Sequence, residues 1–303
     1  MSTVRVYKST DPGAPAHPSD LRGSMAALLR ACLVVGYGSG EDAKAPAGWE
    51  EPYPETGNYA CFRALSGERQ FYQVNDNNLS ANVSVLTSYD SMSDAATGTG
   101  NRGSEYFGKR PSTISGTYWA VIADEKTCYV LLNSQFGMAP HVFGEYYSYL
   151  AGDPYKGILS GHSSNSNMVT AANAGLSSGQ LAGGPILHRT YYGVLTEGRR
   201  IRTGGPPSSL DKTDCINGTS FTLPALAGLS YPVYPALLQQ ITVTYGKLRG
   251  VYYPGAYKPR ADKEIFTFDG MTMQAFDLGG STNTTALMGQ IWFDITGSWE
   301  EST

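Results

Sequence analysis

Hydrophobic residues along this chain fall in short runs rich in β-branched and aromatic side chains, each bounded by Gly, Asn, Asp, Ser or Pro. That is the pattern of strands and turns. Residues 4–7 open the series, and 59–65, 69–74, 82–89, 118–123 and 127–132 continue it. Asp124, Glu125 and Lys126 separate the last two runs and predict a hairpin. Runs at 185–195, 241–245, 250–257, 264–268, 273–278 and 290–295 predict a further, mostly antiparallel set.

A sustained helical period occurs once. Leu21, Met25, Leu28, Leu29, Cys32 and Leu33 form an apolar stripe, Asp20 or Ser24 is placed to cap it, and Gly36, Gly38 and Gly40 stop it. One helical segment supplies too few crossovers for an alternating βαβ fold. The predicted class is therefore mainly β (α+β): an antiparallel sandwich or irregular barrel with one N-terminal amphipathic helix. Residues 9–19 and 45–57 read as Pro/Gly-rich connections, the second around Trp49. Between 160 and 184, Ser, Asn, Gly and Ala replace large apolar residues, the composition of an exposed loop or arm. The expected division is an N-terminal α+β domain over 1–159, that arm over 160–184, and an antiparallel β region over 185–303. Neither repeats, heptads nor collagen-like triplets are visible.

Composition narrows the partners. The 303 residues suffice for a sizeable core, and 22 Lys+Arg against 26 Asp+Glu, with no long single-sign run, give no basic face for nucleic acid. Charged residues make up 16% of the chain, against roughly 25% in typical soluble domains. The 36 Gly, 17 Pro and 21 Tyr supply tight turns and broad contact faces instead. The longest apolar stretch, 25–35, is interrupted by Arg30 and falls well short of the roughly 20 residues that span a bilayer. The first residues read as a strand rather than a signal peptide, so assembly in a cytoplasm without a membrane partner is expected. Cys32, Cys61, Cys128 and Cys215 form no CxxC pair. Buried free thiols are the expectation, with oxidation outside a cell left open.

Tests for catalytic motifs fail one by one. Gly36, Gly38 and Gly40 follow a helix, whereas a dinucleotide fingerprint follows a strand and opens one. Residues 103–109 (GSEYFGK) have P-loop glycine spacing, but Arg110 stands where a magnesium-binding hydroxyl is needed. His17, His141, His162 and His188 are dispersed and form no metal-binding pair. The GxSxG match at 175–179 would offer Ser177 to His162 or His188, yet no strand pattern leads into it. Asp124, Glu125, Asp153, Asp262 and Asp269 sit in predicted turns, where turn chemistry accounts for them better than a glycosidase pair. The sequons at Asn78, Asn82, Asn217 and Asn283 read as chance matches in Asn/Ser-rich surroundings. No catalytic residue, cofactor or metal ligand is therefore assigned, and an enzyme is not expected.

Tyrosine clusters are the positive signal. Alternate strand residues face inward, so about half of each cluster serves the core and the rest faces out. The candidate interface residues are Tyr146, Tyr147, Tyr149, Tyr191, Tyr192, Tyr252, Tyr253 and Tyr257, with Tyr231 and Tyr234 forming a further pair. Outward tyrosines on rigid strands anchor protein contacts, and stacking on a sugar is the competing use.

Several segments, taken in order, resemble a family of virion proteins encoded in the structural modules of tailed phages. They are 6–15 (VYKSTDPGAP), 29–38 (LRACLVVGYG) with 47–49 (AGW), 89–100 (YDSMSDAATGTG), 118–127 (YWAVIADEKT) and 143–155 (FGEYYSYLAGDPY). The resemblance covers about the first 160 residues and continues loosely at 248–255 (LRGVYYPG) and 289–295 (GQIWFDI). It implies a virion structural role. The expected function is a homo-oligomeric structural subunit assembling in multiple copies at the neck or tail, with itself and other virion proteins as partners. The resemblance carries over no catalytic residue. A capsid decoration protein and a carbohydrate-binding or depolymerising receptor module are the alternatives.

Overall fold

Residues 119–123 read Trp-Ala-Val-Ile-Ala, with no polar position to give to water, so a strand there needs cover on both faces. In the computed structural model it has that cover. The structure describes residues 3–19, 21–76, 83–109, 118–134, 137–161, 186–188, 199–200, 202–203, 233–240, 243–254, 260–278 and 290–300. In chain order the first strands are β1 (Arg5–Lys8), β2 (Trp49–Glu50), β3 (Tyr59–Ala64), β4 (Phe71–Asn75), β5 (Val83–Met92) and β6 (Gly98–Gly108). Next come β7 (Trp119–Ala123), β8 (Thr127–Ser134), β9 (Gly137–Glu145), β10 (Tyr147–Ser148), β11 (Gly157–Ser160), β12 (Ile186–Leu187) and β13 (Arg199–Arg200). The series closes with β14 (Arg202–Thr203), β15 (Val233–Gln240), β16 (Val243–Pro254), β17 (Ile265–Phe268), β18 (Met271–Asp277) and β19 (Gln290–Asp294). The helix α1 (Ser24–Arg30) lies between β1 and β2.

Among the described residues three antiparallel sheets result, none closed into a barrel, so the β-rich class with one N-terminal helix stands. The central sheet runs β1-β7-β8-β9-β11-β12-β13, a meander runs β2-β3-β4-β5-β6, and the third runs β14-β15-β16-β19-β18-β17 with β10 beside β16. Strand alternation sorts the central sheet's side chains into two cores. Trp119, Val121, Cys128, Val130 and Phe143 face α1 and the meander's Phe62, Tyr72 and Phe107. Ala120, Ile122, Tyr129, Leu131 and Val142 face the third sheet's Tyr253, Phe276, Ile291 and Phe293. β7 is thus the middle of a three-layer stack. The central sheet and its cores draw on both halves of the chain: β12 and β13 extend it, and residues 4 and 299 share the second core. Of the expected arm, Ser160 ends β11 and Gly161 follows it, while 162–184 lies outside the described residues.

The helix is shorter than the apolar stripe. Leu21 is 69% exposed, and Ser24 turns its hydroxyl back to the carbonyls of Ser19 and Leu21 rather than capping. Asp20 lies outside the described residues. The cap comes from a distant strand end. Asp76, just past β4, accepts the Met25 N–H at 3.0 Å, the Ser84 hydroxyl at 2.7 Å and the Lys109 ammonium at 2.6 Å. Lys109 and Asp76 are both fully buried, so the lysine of the P-loop-like stretch is a structural counter-ion. After α1 the chain widens into a π turn over Ala31–Val35 and stops at Gly36 (φ 79), where a side chain would collide with the Lys44 carbonyl. Cys32, Cys61 and Cys128 are buried free thiols, and Cys215 lies outside the described residues.

The stack is tied at one corner. Asp124 folds its turn by accepting the Lys126 and Thr127 N–H groups at 2.9 and 2.8 Å. The same carboxylate takes Arg249 of β16 in a two-pronged pair at 3.0 and 2.7 Å, with 3% and 0% side-chain exposure. Arg249 also donates to Thr127 Oγ1 at 2.9 Å, its carbonyl accepts the Tyr129 hydroxyl at 2.9 Å, and Trp49 of β2 donates to the Asp124 carbonyl at 2.7 Å. All three sheets meet there. Replacing Arg249 by Met strands a buried carboxylate, an expected loss of about 3–5 kcal/mol in stability. The pair Asp124→Asn with Arg249→Met is expected to regain much of that loss. Urea unfolding of the single and double variants checks both, and equal stability of Arg249→Met and the wild type would refute the tie.

Candidate interaction surface

The segment that follows β9 carries the first tyrosine cluster across from the central sheet to the third. Tyr146 is fully buried between them, its N–H donating to the Lys156 carbonyl at 2.9 Å. Tyr147 and Ser148 form β10 against Lys247 and Gly246, and Gly246 is required because a side chain there would overlap the Tyr147 carbonyl. The Tyr147 ring lies 5.3 Å from the Lys247 ammonium and 5.4 Å from the Arg249 guanidinium, cation–π distances that link it to the corner pair.

Beyond β10 the chain winds around a buried carboxylate. Asp153 accepts the Ser148 hydroxyl at 2.5 Å and the Tyr155 N–H at 2.9 Å, its own N–H donates to the Leu150 carbonyl at 3.2 Å, and Leu150 N–H reaches the Ser148 hydroxyl at 3.2 Å. Tyr149 N–H is held by the Tyr245 carbonyl at 3.0 Å. What this bracing leaves outside is Tyr149, 54% exposed, and Leu150, 42% exposed. The expected core–surface split therefore appears within one cluster.

The remaining candidates divide similarly. On β16, Val251 and Tyr253 point into the second core, while Tyr252 turns to the opposite face beside Met273, Ala275 and Trp292 and is half-buried. Tyr146 and Tyr253 are accordingly corrected from interface candidates to core residues, since strand alternation and the sheet crossing seal them. Tyr191, Tyr192 and Tyr257 lie outside the described residues. Leu150 carried no sequence signal, because an isolated Leu beside Ala-Gly-Asp-Pro reads as ordinary loop.

Behind this loop lies a group of acids. Glu145 at the end of β9 accepts the Glu68 N–H, and Gly67 (φ 76) leaves the room for it, since any side chain there would strike the Glu145 carboxylate. Burial, reinforced by Glu145 and then Asp153, pushes the Glu68 carboxyl up to about 8. Beside it His188 packs 5.7 Å from the Tyr72 ring, and burial holds its imidazole down at about 3. Its Nδ1 lies 3.5 Å from Ser88 Oγ, the outer limit of a hydrogen bond, with both residues closed off from solvent. The serine brought to His188 is thus Ser88 in a packing role. Ser177 and His162 lie outside the described residues.

Of the other acids, Asp124 and Asp153 organise turns, Asp269 begins the β17–β18 turn, and Asp262 pairs with Lys263 while accepting the Asp277 N–H at 3.0 Å. Among the described residues no group of three or more His, Cys, Asp or Glu is arranged to hold a metal, and no helix is long and apolar enough to cross a membrane.

Among the described residues, fold and surface together define a three-sheet antiparallel β architecture with one braced loop that presents Tyr149 and Leu150. No protein-family model matches the chain, and no curated protein matches it significantly.

The acid group makes stability depend on pH in two opposed ways. Folded, Glu68 keeps its proton to about pH 8 against an ordinary 4.5, so its contribution is whole below about 4.5 and lost as pH rises through 8. His188, lowered from 6.5 to about 3, contributes fully above 6.5 and loses that contribution as pH falls toward 3. Glu68→Gln is expected to flatten the alkaline decline and gain most over the wild type above pH 8. His188→Gln is expected to flatten the acid limb. Urea midpoints across a pH series test both, and curves parallel to the wild type would contradict the placement.

Proposed function

We propose that the protein is a multi-copy structural subunit of a tailed-phage virion, built into the neck or tail through contacts with itself and other virion proteins. It assembles in the host bacterial cytoplasm and resides in the particle. The observation that carries this reading is the ordered resemblance across the first 160 residues to virion proteins. The geometry supports it: Tyr149 and Leu150 are exposed on a loop whose backbone is already fixed around Asp153. A pre-organised apolar pair loses little entropy on docking, which suits contacts repeated by symmetry.

Purified protein is expected to form rings or small homo-oligomers, or to bind heads or tails, and imaging of labelled virions is expected to place it at the neck or tail. A strict monomer that binds neither heads nor tails would overturn the reading, and a head-surface position would replace neck or tail by decoration. The double variant Tyr149→Ala with Leu150→Ala is expected to weaken association at least tenfold, about 1.4 kcal/mol. Its effect on the melting temperature is expected to be small, because exposed substitutions cost within about 0.5 kcal/mol. Sedimentation and thermal unfolding of the same samples separate the two effects.

A further inference from the structure

We propose that the loop carrying Tyr149 and Leu150 is clasped shut only while Glu68 behind it keeps its proton, and that ionisation of Glu68 releases the loop and weakens docking. The docking half rests on the multi-copy reading; the release does not. The turn between β3 and β4 supplies Glu68, and three parts of the chain close around it. Glu145, ending β9, accepts the Glu68 N–H in the space that Gly67 leaves. Asp153, around which the loop winds, lies near enough to act on the Glu68 carboxyl. Gly157, the first residue of β11, passes so close that a side chain there would come to 3.0 Å from Glu68 Oε2 and would overlap the His188 ring. The loop's return leg thus rests on the turn.

The balance of charge around Glu68 sets the direction. Facing it are Glu145, Asp153, Lys156, His188 and Tyr72. Burial keeps His188 uncharged down to about 3 and raises the Tyr72 hydroxyl, so both stay neutral. Arg69, the nearest cation in sequence, is paired with Glu50 instead. Ionised, Glu68 becomes a third carboxylate against one lysine, beside Glu145 and Asp153 at 8% and 4% exposure. Like charges repel more strongly there than in open water. The Gly157 N–H favours the anion, but burial and the two carboxylates outweigh it, and the carboxyl stands at about 8. Glu68 Oε1 is buried with no hydrogen-bond partner among the described residues, which leaves an anion there poorly compensated.

The loop is the part that can yield. Glu145 and Gly157 are ladder partners in the central sheet, and β3 and β4 are paired on either side of the turn. Residues 149–156 contain no strand, and Asp153 alone among them is buried. Segments with so little buried surface open before the strands do. Lifting the loop removes Asp153 and admits water to Glu68. Closed, Glu68 holds its proton to about pH 8, and once wetted it returns toward the ordinary 4.5. Opening therefore releases a proton throughout that window, so the open population rises about tenfold per pH unit and levels off above about pH 8.

Amide exchange of the full chain reads this directly, at a concentration below self-association and corrected for base catalysis of exchange itself. From pH 6 to 8 the opening constant of 149–156 is expected to rise about tenfold per unit in the wild type, at protection well below that of 119–123. Glu68→Gln is expected to abolish the rise. Glu145→Gln, which keeps an oxygen for the Glu68 N–H, is expected to make it level off at lower pH. Self-association in sedimentation is expected to weaken about threefold or more over the same range in the wild type and to hold steady in Glu68→Gln. Opening that ignores pH, a rise that Glu68→Gln retains, or loop amides as protected as 119–123 would overturn the clasp. Opening as expected with association unchanged would overturn its link to docking. A wild type that is monomeric and absent from particles sinks the multi-copy reading, and the exchange result still decides the clasp.

Discussion

The Asp124–Arg249 pair is the constraint on which the rest of the molecule depends. A buried ion pair repays its desolvation only when geometry is good and remaining lone pairs and protons find partners. Here both carboxylate oxygens face the guanidinium, two backbone N–H groups complete the aspartate, and Thr127 takes a further guanidinium proton. The pair also fixes relative position. Asp124 belongs to the central sheet's hairpin, Arg249 to the third sheet, and Trp49, bonded to the Asp124 carbonyl, to the meander. Apolar cores attract without direction, whereas this corner specifies one alignment of three layers.

The exposed loop inherits that alignment. Tyr147 stacks under Arg249, β10 takes its register from Lys247 and Gly246, and the turn around Asp153 starts from Ser148. Tyr149 is therefore placed by a chain of contacts leading back to the corner. A second buried pair, Asp76–Lys109, acts likewise on the helix, tethering its first turn to the far edge of the meander. Each pair joins elements remote in sequence, which is why neither was visible as a motif.

Legibility followed the physics of each segment. Runs with β-branched and aromatic residues, such as 59–65 and 118–132, were read as strands and lie where expected, since pattern and packing agree. β6 and β9 were missed because their glycines, and Pro140 in β9, signal turns locally although the ladder tolerates them. β16 merges two predicted strands across Gly246 and Gly250, kept small by the Tyr147 carbonyl and the Trp299 ring. The helix cap was assigned to local residues, whereas Asp76 supplies it from beyond β4. Of the site, the Tyr146, Tyr147 and Tyr149 cluster was legible, but which member faces out depends on where the chain crosses between sheets.

The low charge of the chain acquires a sharper meaning in three dimensions. Charged residues are 16% of the sequence, and several are spent inside or against neighbours. Asp76, Lys109, Asp124 and Arg249 are buried, and Arg30, Arg63 and Arg102 lie in pairs with Glu51, Glu50 and Asp90. Solubility ordinarily relies on free charge distributed over the surface. A chain that commits its ions to holding its sheets together leaves less to repel a second copy, and it presents Tyr149, Leu150 and Ile265 where contact is possible. The economy of charge that fixes the fold is thus of a kind that suits the assembly proposed above, with stability and association drawing on the same scarcity.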